Sequence, residues 1–144
     1  EFDPDVAQYE FVDKEKIFTP PQFKSLFNLF GGCGIFFAQA HELLANGYPF
    51  NEVVNILKDD LKSNIIRQIK ISNNPKEMQA IFAAIVPGPS NKIPVMPNVT
   101  NPLTEQLLAS NLFAYVSPDL DRVEPFTPGL QDVVNELKKA NFAN

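Results

Sequence analysis

A proline that directly follows a Ser, Thr or Asn residue recurs along this chain, and such a pair marks the start of a helix. The pair occurs five times, at Thr19-Pro20, Asn74-Pro75, Asn101-Pro102, Ser117-Pro118 and Thr127-Pro128. The side chain before the proline can accept a hydrogen bond from a free amide of the first helical turn, where proline itself leaves no amide unpaired. Gln22 and Glu77 lie three residues after two of these caps, which predicts capping boxes at Thr19 and Asn74.

Between these starts, apolar residues repeat with the period of an α-helix. They predict helices over 20–46, 51–71, 75–86, 102–116 and 128–141. The glycines from Gly31 to Gly34 make the first of these either one bent helix or two tightly joined helices, and Asn46-Gly47 is a typical helix stop. The second helix carries its apolar stripe on Val53, Val54, Leu57, Leu61, Ile65 and Ile69.

These helices and their short connections predict an all-α fold, an up-down-up-down four-helix bundle with an additional C-terminal helix. Its parts are an acidic N-terminal extension at 1–18, the bundle at 19–116 and a C-terminal helical appendage at 117–144. Residues 87–101, which we call the strap, form the one long irregular segment and carry prolines at 87, 89, 94 and 97. Because prolines stiffen a segment, we expect the strap to be extended and docked.

Length and composition are those of a single domain, with 144 residues of which 44% are apolar. The most apolar stretch, 26–40, is too short to span a membrane and contains Asn28 and Gln39. The single cysteine cannot form an intrachain disulfide.

Charge is distributed unevenly along the chain. Residues 1–18 hold six acidic residues and two lysines, a net charge of −4, whereas the remaining residues are near −1. Within the latter, 58–92 holds six basic and three acidic residues, a net charge of +3. The overall charge of −5 argues against nucleic acid as a partner, because binding it needs several clustered cations. A basic face can still meet an acidic protein surface.

Catalytic and metal-binding chemistry have little support in the sequence. Cys33 and His41 are eight residues apart, about 12 Å along one helix, which is too far for a thiolate–imidazole pair. His41-Glu42 lack the spacing of a zinc-binding helix, and Asp119 and Asp121 lack the rest of a calcium loop. We therefore predict no catalytic residue, no cofactor and no metal site, and expect a protein that is not an enzyme.

Two further patterns admit more than one interpretation. The Phe- and Gly-rich stretch 27–37 has the texture of a membrane-inserting segment, but the apolar stripe continues on both sides of it, which favours a core position. Asn98-Val99-Thr100 matches the N-glycosylation sequon, a motif that matters only in a secretory compartment.

One helix and the turn after it carry a resemblance to a known family. The helix contains Leu57-Lys58-Asp59-Asp60-Leu61-Lys62 and Arg67, and Asn74-Pro75-Lys76-Glu77 opens the next helix. This arrangement resembles the second and third bundle helices of the PsbQ-like extrinsic subunits of photosystem II. The chain lacks tryptophan, a departure from plant members that favours a divergent algal or diatom type.

The resemblance implies a non-catalytic role in the chloroplast thylakoid lumen, peripheral to the membrane and not spanning it. The subunit would dock on photosystem II and stabilise its oxygen-evolving complex, with the strap and the acidic segment 1–18 completing the interface. The docking cations that it implies are Lys58, Lys62, Arg67, Lys70 and Lys76, to which we add Lys92 from the same basic window.

Two other functions stay open at this point. Thirteen phenylalanines and the Gly-rich bend also suit a helical protein that binds a lipid or small ligand. A small Phe-rich bundle could instead polymerise as a helical coat or filament protein.

Overall fold

The computed structural model describes residues 17–31, 34–89, 91–116 and 121–143. Within those ranges the chain is mostly helical, with six helices and one small antiparallel sheet. The elements are α1 (Pro20–Phe30), α2 (Gly34–Ala45), α3 (Phe50–Ile71), α4 (Pro75–Ala84), α5 (Pro102–Ala109), β1 (Phe113–Tyr115), β2 (Val123–Pro125) and α6 (Leu130–Lys139). The purely helical prediction is therefore wrong in one place, and the four-helix bundle stays a prediction.

Three of the predicted proline starts form as expected. Thr19 accepts the Gln22 amide through its hydroxyl, and the Gln22 side chain accepts the Thr19 amide in return, which confirms the capping box. Asn101 caps α5 by accepting from the amide of Leu103 at 3.0 Å. The predicted cap at Ser117 lies outside the described residues.

The start of α4 departs from the predicted capping box. Asn74 Oδ1 accepts from the Glu77 amide at 3.2 Å, as a cap should. The return bond is not made, because the Asn74 amide donates to Ser72 Oγ at 3.0 Å. Glu77 instead uses its carboxylate to accept from Asn74 Nδ2 at 3.2 Å. The prediction is right for the cap and wrong for the box.

The predicted 20–46 helix consists of two helices. Gly31 ends α1 with a φ of 61°, and its amide donates to the Phe27 carbonyl at 2.8 Å. A positive φ suits glycine, which has no Cβ to strain. Cys33, next to this break, lies outside the described residues.

The predicted stop at Asn46-Gly47 is confirmed. Gly47 has a φ of 94° and its amide donates to the Leu44 carbonyl at 3.0 Å, while the Tyr48 amide donates to the Leu43 carbonyl at 3.2 Å. These two bonds are the Schellman motif that closes many helices.

Packing divides the chain into two compact units. The first unit comprises the residues up to Asp60 together with Thr127–Gly129. Its core is aromatic, with Phe23 stacked on Phe37 at 5.4 Å between ring centroids. The buried residues are Phe18, Phe23, Leu26, Phe30, Phe37, Ala40, Val53 and Leu57. The core interpretation of 27–37 is thus confirmed for Phe30 and Phe37, whereas Ile35 is 61% exposed.

The second unit comprises Leu61–Phe126 and the residues from Leu130 onward. Its core includes the stripe residues Leu61, Ile65 and Ile69 of α3, which are buried as predicted. The other elements contribute Met78, Phe82, Ile85, Leu103, Leu107, Phe113, Val123, Leu130, Val133, Val134 and Leu137, among others. The C-terminal helix is therefore part of this core.

The predicted 102–116 helix is wrong after Ala109. Asn111 adopts a φ of 62°, its amide donates to the Leu108 carbonyl at 3.2 Å, and the Leu112 amide donates to the Leu107 carbonyl at 3.2 Å. This is again a Schellman motif, with asparagine at the left-handed position. The next residues form β1, which pairs antiparallel with β2.

The last helix is shorter than the predicted 128–141, since α6 begins at Leu130 and ends at Lys139. Before it, the Gly129 amide donates to the Leu29 carbonyl at 2.6 Å. That carbonyl belongs to the last turn of α1, where carbonyls have no helical partner. The predicted start at Thr127-Pro128 is therefore wrong by two residues, and Gly129, which bonds to α1, precedes the first helical residue.

Two side chains of α6 donate hydrogen bonds to carbonyls at and just after the C-terminal end of α4. Gln131 donates to the Ile85 carbonyl at 2.8 Å. Lys138 Nζ donates to the carbonyls of Ala83 at 3.2 Å and Val86 at 3.4 Å. A positive charge at a helix C-terminus also interacts favourably with the helix dipole.

Candidate docking surface

The strap is held against the end of α4 by one asparagine. Asn91 Nδ2 donates to the carbonyls of Ala84, Val86 and Ile93 at 3.1, 3.2 and 3.1 Å. The amide of Val95 adds a bond to the Ala84 carbonyl at 2.8 Å. The described part of the strap is therefore docked, as the prolines predict.

The strap has an inner and an outer side. Pro97 is buried, and Met96 and Val99 pack partly buried against the second core. Ile93 and Val95 are instead 73% and 51% exposed. Ile93 and Val95 are thus two aliphatic residues on the outer side of the strap; contiguous apolar patches, rather than single residues, mark contact surfaces.

The six predicted docking cations do not share one environment. Lys62 forms an ion pair within the protein, since its Nζ lies 3.5 Å from the Glu136 carboxylate of α6. Lys58 is half-buried and belongs to the first unit. Arg67 is exposed, and one of its guanidinium nitrogens donates to Asn64 Oδ1 at 3.1 Å. The remaining three, Lys70, Lys76 and Lys92, are exposed and have no ion-pair partner in the part of the chain that the structure describes.

Lys70 and Ile71 are the last two residues of α3 and both face solvent. Ile71 is 64% exposed, although it is a large aliphatic residue. It lies two residues, about 200° of helical turn, after the buried Ile69, so it falls off the apolar stripe. Sequence analysis missed Ile71 as a surface residue, and its position on the polar face is the signal that could have found it.

Lys76 is in the first turn of α4, immediately after Pro75. A cation there opposes the positive end of the helix dipole, so the residue does not stabilise its own helix. Lys70, in the last turn of α3, has the favourable position. The two lysines lie on either side of the short 72–74 connection between the helices.

A network of side-chain hydrogen bonds surrounds the segment of α3 that carries Arg67. Gln68 is buried and donates to Asn64 Oδ1 at 3.1 Å, the same oxygen that Arg67 uses. Gln106 of α5 donates to the carbonyl and side-chain oxygens of Gln68, both at 2.9 Å. Asn64 also donates to the Ser110 carbonyl at 3.3 Å. A satisfied network of this kind holds α3 rigidly against α5.

The beginning of α4 is fixed in a similar way. The Glu77 carboxylate accepts from Asn74 Nδ2 at 3.2 Å and from Asn101 Nδ2 at 3.1 Å. Asn74 and Asn101 cap α4 and α5, so one carboxylate links the starts of two helices. Lys76, the residue before Glu77, is thereby presented from a fixed helix start.

Metal-binding chemistry has no counterpart among residues 17–31, 34–89, 91–116 and 121–143, where no three His, Cys, Asp or Glu side chains cluster closely enough to hold an ion. His41 is exposed on α2, and Cys33 and Asp119 lie outside those ranges. None of the described helices combines the length and apolar content needed to cross a membrane.

Comparison with known proteins adds no relative. The chain matches no protein-family profile, no curated protein and no solved structure.

Proposed function

We propose that this protein is a non-catalytic helical interaction subunit that docks on an acidic protein surface through Arg67, Lys70, Ile71 and Lys76. The observation that carries the proposal is the end of α3, where an unpaired lysine and a largely exposed isoleucine are consecutive. Cations at an interface steer the encounter and set the register, while a buried aliphatic side chain supplies affinity. The network of Asn64, Gln68 and Gln106 supports this role, because a rigid surface loses less entropy on binding.

The docking set that we propose is smaller than the one that the sequence implies. Lys62 already interacts with Glu136, so a partner would have to compete with that ion pair. Lys58 belongs to the first unit and is half-buried. Lys92 is exposed and follows Asn91, at the opposite end of α4 from Lys76. We therefore assign the main contact to the side of the 72–74 connection and a secondary contact to Lys92.

Photosystem II is the proposed partner, on the strength of the resemblance to the PsbQ-like subunits at residues 57–77. In this proposal the protein lies in the thylakoid lumen, peripheral to the membrane, and stabilises the oxygen-evolving complex. The up-down-up-down four-helix bundle belongs to the same proposal. The alternatives, a lipid- or small-ligand-binding protein and a coat or filament protein, stay predictions.

The test is rebinding of the purified chain to salt-washed photosystem II membranes from a diatom or red-lineage alga. We expect Lys70→Glu to weaken binding about 30-fold at low salt. Two unit charges about 4 Å apart in water interact by about 1 kcal/mol, and reversal replaces an attraction of that size with a repulsion. The defect should shrink as salt rises, because ions screen exposed charges.

Ile71→Asn is the complementary variant, and we expect it to weaken binding about tenfold at every salt concentration, because it removes aliphatic contact area rather than charge. Lys24→Glu is the matched control, since Lys24 is exposed on α1 and its reversal changes the net charge equally. Circular dichroism checks that all variants stay folded.

The possible outcomes test the assigned docking surface and the identity of the partner separately. Equal binding by wild type, Lys70→Glu and Ile71→Asn would show that the wrong face has been assigned. A wild-type chain that does not bind the washed membranes at all would instead exclude photosystem II as the partner.

A further inference from the structure

Asn98 lies in the strap and begins the one Asn-x-Ser/Thr sequence of the chain that has no proline in the middle. We propose that Asn98 is a site of N-linked glycosylation, modified when the chain passes through a secretory compartment. The proposal goes beyond the docking function and does not depend on the partner. It rests on how the structure presents this asparagine.

The backbone at Asn98 is held by two hydrogen bonds to its carbonyl. Its carbonyl accepts from the Thr104 hydroxyl at 2.6 Å and from the Asn101 amide at 3.0 Å. Thr104 is 1% exposed, so this anchor reaches the interior of the second unit. Val99, the middle residue of the sequon, packs partly buried against the second core. The turn therefore has a fixed orientation.

The side chains of the sequon face the opposite way. Asn98 and Thr100 are both exposed. Asn98 Oδ1 accepts from the Thr100 amide at 2.9 Å and from the Thr100 hydroxyl at 2.8 Å. Among the described residues, Asn98 Nδ2 has no hydrogen-bond partner, so the nitrogen that would carry the glycan is free on an exposed side chain.

This arrangement suits the chemistry of transfer. The co-reactant is an oligosaccharide linked to a lipid pyrophosphate, and a bond forms between Asn98 Nδ2 and the anomeric carbon of its first sugar. The bond from that carbon to the pyrophosphate oxygen breaks, the lipid pyrophosphate leaves with the electron pair, and Nδ2 loses one proton to a base. Amide nitrogen is a poor nucleophile, and the two donors on Oδ1 stabilise the negative charge that builds up as the proton departs.

A glycan at this position is also compatible with the fold. N-linked glycans are bulky and polar and need a surface location. Asn98 meets that need, since its side chain makes none of the core contacts that Val99 makes. The modification can therefore extend into solvent without displacing a buried residue.

The test is expression of the whole chain behind a cleavable secretory leader in a eukaryotic host, followed by intact-mass measurement. We expect most of the secreted protein to carry one glycan, removable by peptide N-glycosidase with conversion of Asn98 to aspartate. Asn98→Gln and Thr100→Val should abolish the added mass, while Thr100→Ser should retain it because the hydroxyl is kept. Asn73→Gln, a change at an exposed asparagine outside the sequon, is the control and should keep the glycan.

Folding is measured on the same samples. Enzymatic removal of the glycan should leave the melting temperature of the chain unchanged within a few degrees, since the glycan contacts solvent. Secreted, folded wild-type protein without a glycan at Asn98 would overturn the proposal. That result would leave the docking proposal intact, because membrane rebinding is measured on chain without glycan.

Discussion

Gly129→Ala tests the contact between the residue before α6 and the last turn of α1. A Cβ added at Gly129 would lie 2.5 Å from the Leu29 carbonyl oxygen, 3.2 Å from its carbon and 3.3 Å from its Cα. All three atoms are backbone, so no side chain can rotate away. Gly129 does not have a positive φ, and close approach alone therefore explains why glycine is needed here.

The expected destabilisation follows from three contributions. Forcing an extra carbon into a packed site costs about 1–3 kcal/mol. Weakening the hydrogen bond from the Gly129 amide to the Leu29 carbonyl, 2.6 Å long in the native chain, costs about 0.5–1.5 kcal/mol more. Alanine also restricts the unfolded chain, which returns about 0.4–1 kcal/mol. We expect a net loss of about 2 kcal/mol.

Urea unfolding followed by circular dichroism measures this loss. With an m-value of about 2 kcal/mol/M, the midpoint should fall by about 1 M. Gly88→Ala is the matched control, because its added Cβ would meet side-chain atoms alone, 2.6 Å from Lys138 Nζ, so its cost is limited to the two hydrogen bonds of that ammonium, about 1 kcal/mol. A Gly129→Ala midpoint equal to that of wild type, or no lower than that of Gly88→Ala, would refute the close-approach argument.

Three further substitutions test the strap and two helix ends. Asn91→Ala should lower the free energy of unfolding by about 1–3 kcal/mol and speed proteolysis within the strap, because the Ile93 carbonyl loses its donor and the carbonyls of Ala84 and Val86 each lose one of two donors; unchanged proteolysis would contradict its anchoring role. Lys138→Met should cost about 1 kcal/mol, less at high salt, since the ammonium caps the end of α4; a salt-independent loss would argue against the charge effect. Asn111→Gly should be neutral or stabilising, and Asn111→Val destabilising by about 1–2 kcal/mol, because the φ of 62° is left-handed; equal stability of the two variants would exclude this explanation. Urea midpoints measure all three.

Local signals are sufficient for the three helix starts capped by Thr19, Asn74 and Asn101 and for one stop. Thr19 and Asn101 cap helices because the groups they bind lie within a few residues of them in sequence. Gly47 ends α2 for the same reason. The buried faces of α3 and α4 also follow from apolar spacing, since a helix repeats that spacing regularly.

Two of the errors involve groups that are distant in sequence, whereas the helix end at Asn111 is set by local bonds. The strand at Phe113–Tyr115 exists because it pairs with Val123–Pro125, and nothing in the local pattern reveals that partner. The sequence predicts Asn111 within a helix, although asparagine is one of the few residues that tolerate the left-handed end position. The delayed start of α6 depends on Leu29, which lies on another helix about a hundred residues earlier.

The same limitation applies to the docking surface. Positive charge in the 58–92 window is visible in the sequence, but which cations are free depends on tertiary contacts. The sequence predicts Lys62 as a docking cation, but its ammonium lies 3.5 Å from the Glu136 carboxylate of α6. Lys70, by contrast, is exposed in the last turn of its helix and has no ion-pair partner among the described residues.

The boundary between the two compact units falls between Asp60 and Leu61, inside the 22-residue α3. Any truncation that separates the units must therefore cut a continuous helix, and must also divide the chain around Thr127–Gly129. Each fragment would keep only about half of α3, close to the length at which isolated helices are marginal in water. If the docking surface were mapped by deleting parts of this chain, a loss of binding would reflect unfolding of the fragments. Point substitutions are therefore the sound way to map the contacts with a partner.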